Sequence, residues 1–167
     1  MKLDGYLNFI KDSNEKITMI QDLYQELIID HGTHPRNFCV LENANGKAEG
    51  FNPLCGDKVQ LYLKIENQKI EKASFTGAGC AISMASASLM TEALIGKTTQ
   101  EALVLSALFK SLLTIDSAES AELGKLLALA GVKSFPARVK CATLAWHTLQ
   151  AAIHCNIQTV STELINS

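Results

Sequence analysis

The sequence lacks the features that mark several large classes of protein. Its net charge of −2 and isoelectric point near 6.1 provide no basic surface for a phosphate backbone, so nucleic-acid binding is not expected. Polar residues interrupt the apolar runs well short of the roughly 20 residues that cross a bilayer. The first residues lack the apolar segment and cleavage pattern of a signal peptide. These absences predict a cytoplasmic protein that acts on neither membranes nor nucleic acids.

The cysteine pattern does not suggest a disulfide framework. The chain has five cysteines, an odd number, and a reducing compartment does not favour structural disulfides. Cys55, Cys80 and Cys141 each fall at a junction between predicted elements. Their long separations exclude a local zinc knuckle with paired Cys-x-x-Cys arms. Any site that they share must be assembled by the fold.

The stretch Asn52–Asp57, with the sequence Asn-Pro-Leu-Cys-Gly-Asp, combines a turn with two potential ligands. Gly56 takes positive φ at little cost, so the loop can aim the Cys55 thiol and the Asp57 carboxylate at one point. Three thiolates and a carboxylate would complete a tetrahedral zinc site, and soft sulfur ligands also suit an iron–sulfur cluster. The alternative is a set of separate buried thiols, since free cysteine is often buried.

Hydrophobic periodicity predicts an α+β domain in which a small antiparallel sheet of about three strands packs against α-helices. We expect an N-terminal extension over 1–17, one domain over 18–155 and a C-terminal tail over 156–167. Capping boxes are expected at Thr18 and Thr98, and an N-cap at Ser134. The strands are predicted near 47–49, 58–65 and 69–76, and the helices at about 19–30, 81–95, 99–113, 121–129 and 135–154.

Three cysteine motifs, in this order, resemble the U-type iron–sulfur cluster assembly family, which includes the N-terminal domain of NifU, IscU and SufU. Asn52–Asp57 matches the first motif, Gly79–Ser83 the second and Val139–Ala142 the third. The segments Leu23–Gly32 and Pro35–Asn37 resemble the opening of the family. Two further features resemble the SufU branch more than IscU. The separation between the last two motif cysteines is long, and a lysine precedes the last one where IscU-like proteins have histidine.

The resemblance implies a SufU/IscU-like fold and a zinc site formed by Cys55, Asp57, Cys80 and Cys141. It further implies that Cys55 accepts persulfide sulfur from a SufS-like cysteine desulfurase, for delivery to downstream iron–sulfur assembly proteins. Asp57 is predicted to be the ligand that leaves most easily. Arg138 lies one helical turn before Cys141 and is predicted to stabilise a thiolate or Asp57; a solvated surface arginine is the alternative.

Two rival functions remain open at this point. The same ligands could carry a [2Fe–2S] cluster, which would make the protein a non-enzymatic scaffold, or hold zinc in a purely structural docking module. Four histidines are interpreted as non-ligands: His31, His34, His147 and His154. Cys39 and Cys155 are interpreted as taking no part in the site, and Trp146 as a core residue.

Overall fold

The computed structural model describes residues 3–114, 121–154 and 159–161. It confirms the predicted α+β architecture, in which a three-stranded antiparallel sheet, extended by one short parallel strand, packs against helices. No helix in these ranges is long and apolar enough to cross a membrane. In chain order the elements are α1 (Leu3–Thr33), β1 (Gly46–Asn52), β2 (Asp57–Glu66), β3 (Lys69–Ala78), α2 (Ala81–Leu94), α3 (Thr99–Thr114), a 3₁₀ segment (Ala121–Ser134), α4 (Pro136–Ile153) and β4 (Thr159–Ser161).

The sheet has the strand order β3–β2–β1–β4. The β2–β3 hairpin turns at Asn67 and Gln68, whose φ values of 49° and 62° match the twist of a tight two-residue connection. Along β2, Val59 and Leu61 are fully buried whereas Lys58 is exposed. This alternation places one face of the sheet on the core and the other towards solvent, as the sequence predicts.

Helices α2, α3 and α4 contact one another at Trp146 of α4, which is fully buried. Its ring stacks on Phe109 of α3 with 4.7 Å between centroids, and its Nε1 donates to Ser86 Oγ of α2 at 3.2 Å. The prediction that Trp146 is a core residue is confirmed. Because one aromatic ring contacts both neighbouring helices, α2, α3 and α4 are held in a fixed relation.

Two of the three predicted helix caps are wrong. Helix α1 begins at Leu3, and Thr18 lies inside it, where its Oγ1 donates to the carbonyl of Asn14 at 2.9 Å. Helix α4 is preceded by Phe135 as N-cap, with no side-chain capping bond, and Ser134 ends the 3₁₀ segment instead. In both cases a hydroxyl residue of the right type belongs to a preceding helical segment and does not begin a new helix, so composition alone is misleading.

The capping box at Thr98 is confirmed. The Thr98 amide donates to Glu101 Oε2 at 2.8 Å, and the Glu101 amide donates to Thr98 Oγ1 at 3.1 Å. The region after α3 differs from prediction in type, because residues 121–134 form a 3₁₀ segment interrupted at Gly124, where φ is 51°. Strand β4 is not predicted by the sequence analysis.

Candidate metal centre

A four-residue loop joins β1 to β2 and carries Cys55 at its tip. Asn52 and Asp57 are paired across the two strands, so the residues between them must reverse the chain. Gly56 has a φ of 71°, a conformation that residues with a Cβ rarely adopt. The reversal leaves Cys55 exposed while Asp57, two residues later, is fully buried.

The Asp57 carboxylate is fixed by two hydrogen-bond donors. The amide of Cys80 donates to Oδ1 at 2.9 Å, and Asn52 Nδ2 donates to Oδ2 at 3.2 Å. Gly79 leaves the space for this carboxylate, because a Cβ there would lie 3.0 Å from Asp57 Cγ and closer still to Oδ1. The turn before α2 is therefore built around the buried carboxylate.

The fold brings Cys141 to the same point. Its Sγ lies 3.3 Å from Cys55 Sγ, and the ligand atoms of Cys55, Asp57 and Cys141 all lie within 4.8 Å of one another. Cys80 does not belong to that group. It stands next to the group through its amide on Asp57, and as N-cap of α2 its Sγ accepts a hydrogen bond from the Ser83 amide at 3.5 Å.

The electrostatics of the cluster favour a cation. Burial, together with the nearby Asp57 and Cys55, strongly raises the pKa of the Cys141 thiol. The same cluster raises the pKa of Arg138, first through its hydrogen bond to Cys141 and then through the charge of Cys80. Arg138 is exposed, and its Nη1 lies 4.0 Å from Cys55 Sγ. Two sulfurs and a carboxylate at this spacing fit a thiophilic ion such as Zn²⁺.

Asn52 is a residue of the cluster that the sequence does not reveal. The residue is fully buried, and its Nδ2 reaches both Asp57 Oδ2 at 3.2 Å and Cys141 Sγ at 3.5 Å. Its Oδ1 accepts a hydrogen bond from the Leu54 amide at 3.3 Å. The Asn-Pro dipeptide indicates a turn, and nothing in that pattern indicates that the amide points inward.

The family described as the NifU-like N-terminal domain matches residues 23–159, a range that includes all the residues of the cluster. The chain belongs to this family.

Several relatives of this NifU-like domain are similar over most of their length. The zinc-dependent sulfurtransferase SufU of Bacillus subtilis is 43% identical over 80% of this chain and 91% of that protein. The iron–sulfur cluster assembly scaffold protein IscU of Streptococcus pyogenes is 40% identical over 82% of this chain and 86% of that protein. A crystal structure from Fervidobacterium islandicum, of a protein proposed as an iron–sulfur cluster assembly scaffold of the SUF system, is 39% identical, covers 77% of this chain and 94% of that one, and has a TM-score of 0.74.

The histidines of this NifU-like domain lie apart from the cysteine and aspartate cluster. His31 is in the last turn of α1, where the sequence predicts it, but it is buried between Ser88 at 2.7 Å and Glu92 at 3.3 Å. Burial lowers the pKa of His31 and so favours its neutral form over a cation at the helix end. His34 and His154 are exposed, as is Cys39. Cys155 lies outside the described residues.

Proposed function

We propose that this protein is a zinc-dependent sulfur acceptor, which takes persulfide sulfur from a cysteine desulfurase for iron–sulfur cluster assembly. The observation that carries the proposal is the meeting of Cys55, Asp57 and Cys141 within 4.8 Å, with Cys55 exposed and the other two buried. A relative named as a zinc-dependent sulfurtransferase, 43% identical to this chain, supports it.

The proposed zinc ligands are Cys55, Asp57, Cys80 and Cys141. Cys80 is included because it lies beside the group, with its amide donating to Asp57 Oδ1; its sulfur would have to turn from the Ser83 amide towards the ion. When bound, zinc would keep the thiols deprotonated near neutral pH, which is the nucleophilic form of cysteine.

The proposed transfer occurs at Cys55. Its thiolate attacks the terminal sulfur of a persulfide on the desulfurase, a new Sγ–S bond forms, and the S–S bond of the donor breaks with its electron pair on the departing thiolate. One sulfur moves without net oxidation or reduction. Arg138, with Nη1 4.0 Å from Cys55 Sγ, would stabilise the attacking thiolate.

The proposal also specifies partners and compartment. We infer a SufS-like desulfurase as sulfur donor and iron–sulfur assembly proteins as recipients, because a group that accepts sulfur needs both. We also infer a reducing, cytoplasmic compartment, in which these thiols would stay available as metal ligands.

Desulfurase turnover, measured with and without this protein, tests the proposal. We expect the zinc-loaded protein to raise turnover and to carry a persulfide on Cys55. The Cys55→Ser variant should lose both effects. Cys39→Ser removes another exposed cysteine and should behave as wild type. Unchanged turnover with the wild-type protein would contradict the proposal.

A second candidate is a scaffold that carries a [2Fe–2S] cluster on the same ligands. The 40% identity to a protein named as an IscU scaffold favours it. Anaerobic reconstitution with iron, sulfide and desulfurase separates the two functions, because a stable chromophore bound to these cysteines is expected of a scaffold. A purely structural zinc module would instead unfold on Cys55→Ser and carry no persulfide on any cysteine.

A further inference from the structure

The Asn52 side chain points into the cluster of Cys55, Asp57 and Cys141. It is fully buried, and its amide nitrogen carries two hydrogens. Nδ2 lies 3.2 Å from Asp57 Oδ2 and 3.5 Å from Cys141 Sγ, so it can donate one hydrogen to each. A single side chain therefore holds one carboxylate and one sulfur at a fixed separation.

The donors to the other groups of the cluster differ in how firmly they are held. Asp57 accepts a second bond from the Cys80 amide, and Cys80 Sγ accepts one from the Ser83 amide. Cys55 Sγ, by contrast, lies on an exposed loop tip, and Arg138 Nη1 is 4.0 Å away on an exposed side chain. Of the two thiols, 3.3 Å apart, Cys141 is thus held by the buried amide of Asn52.

We propose that Asn52 is a positioning residue that makes Cys55, rather than Cys141, the sulfur that accepts the persulfide. This inference rests on the proposed function. The buried Asn52 amide fixes the direction of the Cys141 sulfur inside the protein, so this sulfur is the less accessible of the pair. The donors to Cys55 Sγ are Arg138 Nη1 at 4.0 Å and Cys141 Sγ at 3.3 Å. Neither is a buried amide, so the exposed Cys55 sulfur keeps its freedom to swing outward.

Without the Asn52 amide, Cys141 gains access to the same reaction. Either thiolate can attack the terminal sulfur of the donor persulfide, with the same bond formed and the same donor thiolate released. Because the two sulfurs are 3.3 Å apart, the choice between them depends on orientation and access more than on distance. Asn52 thus determines which cysteine carries the persulfide. A change in folding stability alone would not move the persulfide from one cysteine to the other.

The test is the location of the persulfide after the zinc-loaded protein reacts with a cysteine desulfurase and cysteine. Peptide mass spectrometry gives the ratio of persulfide on Cys141 to persulfide on Cys55. For Asn52→Leu, which has similar size and no donor, we expect this ratio to rise by about tenfold, the effect of losing a hydrogen bond to a charged group. Asn52→Ser retains one donor and should give an intermediate ratio; it decides the question if Asn52→Leu does not fold.

Asn45 supplies a matched control at the other end of the same strand pair. Its side chain donates to the Ile65 carbonyl at 2.7 Å and accepts from the Ile65 amide at 2.8 Å, so Asn45→Leu also removes side-chain bonds between the strands. It should leave the persulfide on Cys55. A folded, zinc-loaded Asn52 variant with the wild-type ratio would overturn the inference. A wild-type protein that carries no persulfide on Cys55 would instead overturn the proposed function.

Discussion

Gly79 packs so closely against the Asp57 carboxylate that a methyl group at residue 79 would not fit. A Cβ at residue 79 would stand 3.0 Å from Asp57 Cγ, so Gly79→Ala must push the carboxylate out of its place. We expect this variant to lose most of its bound zinc and to be destabilised by about 1–3 kcal/mol, the usual cost of overpacking a buried site. Zinc content by elemental analysis and urea denaturation measure the two effects.

Gly131→Ala is the control for Gly79→Ala. A Cβ at residue 131 meets no atom within 4 Å, so the substitution should leave both zinc content and stability close to those of the wild type. If Gly79→Ala keeps full zinc occupancy, the carboxylate of Asp57 does not need the position that the structure gives it.

Arg138 is the exposed cation that approaches the cluster, with Nη1 4.0 Å from Cys55 Sγ. Loss of its charge should make the Cys55 thiolate less favourable, and we expect Arg138→Ala to slow sulfur acceptance by about tenfold or less because solvent screens an exposed charge. Lys47→Ala removes a positive charge on the outer face of the sheet and should have no effect. Single-turnover persulfide formation is the measurement, and equal rates for wild type and Arg138→Ala would refute the role.

The resemblance predicts that Cys55, Asp57, Cys80 and Cys141 share one site, and Cys80 lies outside the group of atoms that the structure brings together. Cys55, Asp57 and Cys141 do converge. The sequence does not reveal Asn52, since an asparagine before proline is equally consistent with a solvent-exposed turn. Only the pairing of β1 with β2 turns that amide towards Cys141, and such pairing is a property of the tertiary fold.

Helix α4 carries a histidine, His147, that makes the protein less stable in acid. Burial first, and then the charge of Lys110 on α3, lower the pKa of His147 from its ordinary 6.5 to about 4. The unfolded chain therefore takes up a proton near pH 6.5 that the folded chain refuses until about pH 4. Stability due to this group is intact above pH 6.5 and falls as the pH drops through that window.

The His147→Gln variant removes this titration. Between pH 7 and pH 5 the wild type should lose roughly 2 kcal/mol more stability than the variant. Urea denaturation at the two pH values gives the difference. His154→Gln changes an exposed histidine just beyond the end of the same helix and should follow the wild type. An identical loss in wild type and His147→Gln would show that His147 titrates normally.

Element boundaries are predicted less well than element types, for identifiable reasons. The Thr98 box is a true helix start because the two members bind one another. Thr18 shows the same local pattern, yet its hydroxyl binds the carbonyl of Asn14 inside a longer helix. Propensity cannot distinguish these cases, since a threonine hydroxyl can bond either way. The 3₁₀ form of residues 121–134 likewise depends on packing against neighbouring helices.

At the scale of the whole molecule, the extension over residues 1–17 is predicted to be dispensable. Residues 14–23 of α1 are exposed, whereas His31 near its end is buried and bound to Ser88. A chain that begins at Thr18 should therefore keep its zinc, and its free energy of unfolding should change by less than about 1 kcal/mol. Urea denaturation and elemental analysis are the measurements. A deletion through Thr33 removes His31 and should be strongly destabilising. Loss of zinc on removing residues 1–17 alone would show that the domain begins earlier.

Zinc K-edge X-ray absorption of the purified protein counts the atoms around the ion and so tests the four-ligand zinc site. We expect three sulfur neighbours and one oxygen, from Cys55, Cys80, Cys141 and Asp57. Cys80→Ser should reduce the sulfur count by one, although Cys80 lies outside the group of atoms within 4.8 Å. A spectrum with two sulfurs in the wild type, or one that Cys80→Ser does not change, would contradict the four-ligand site.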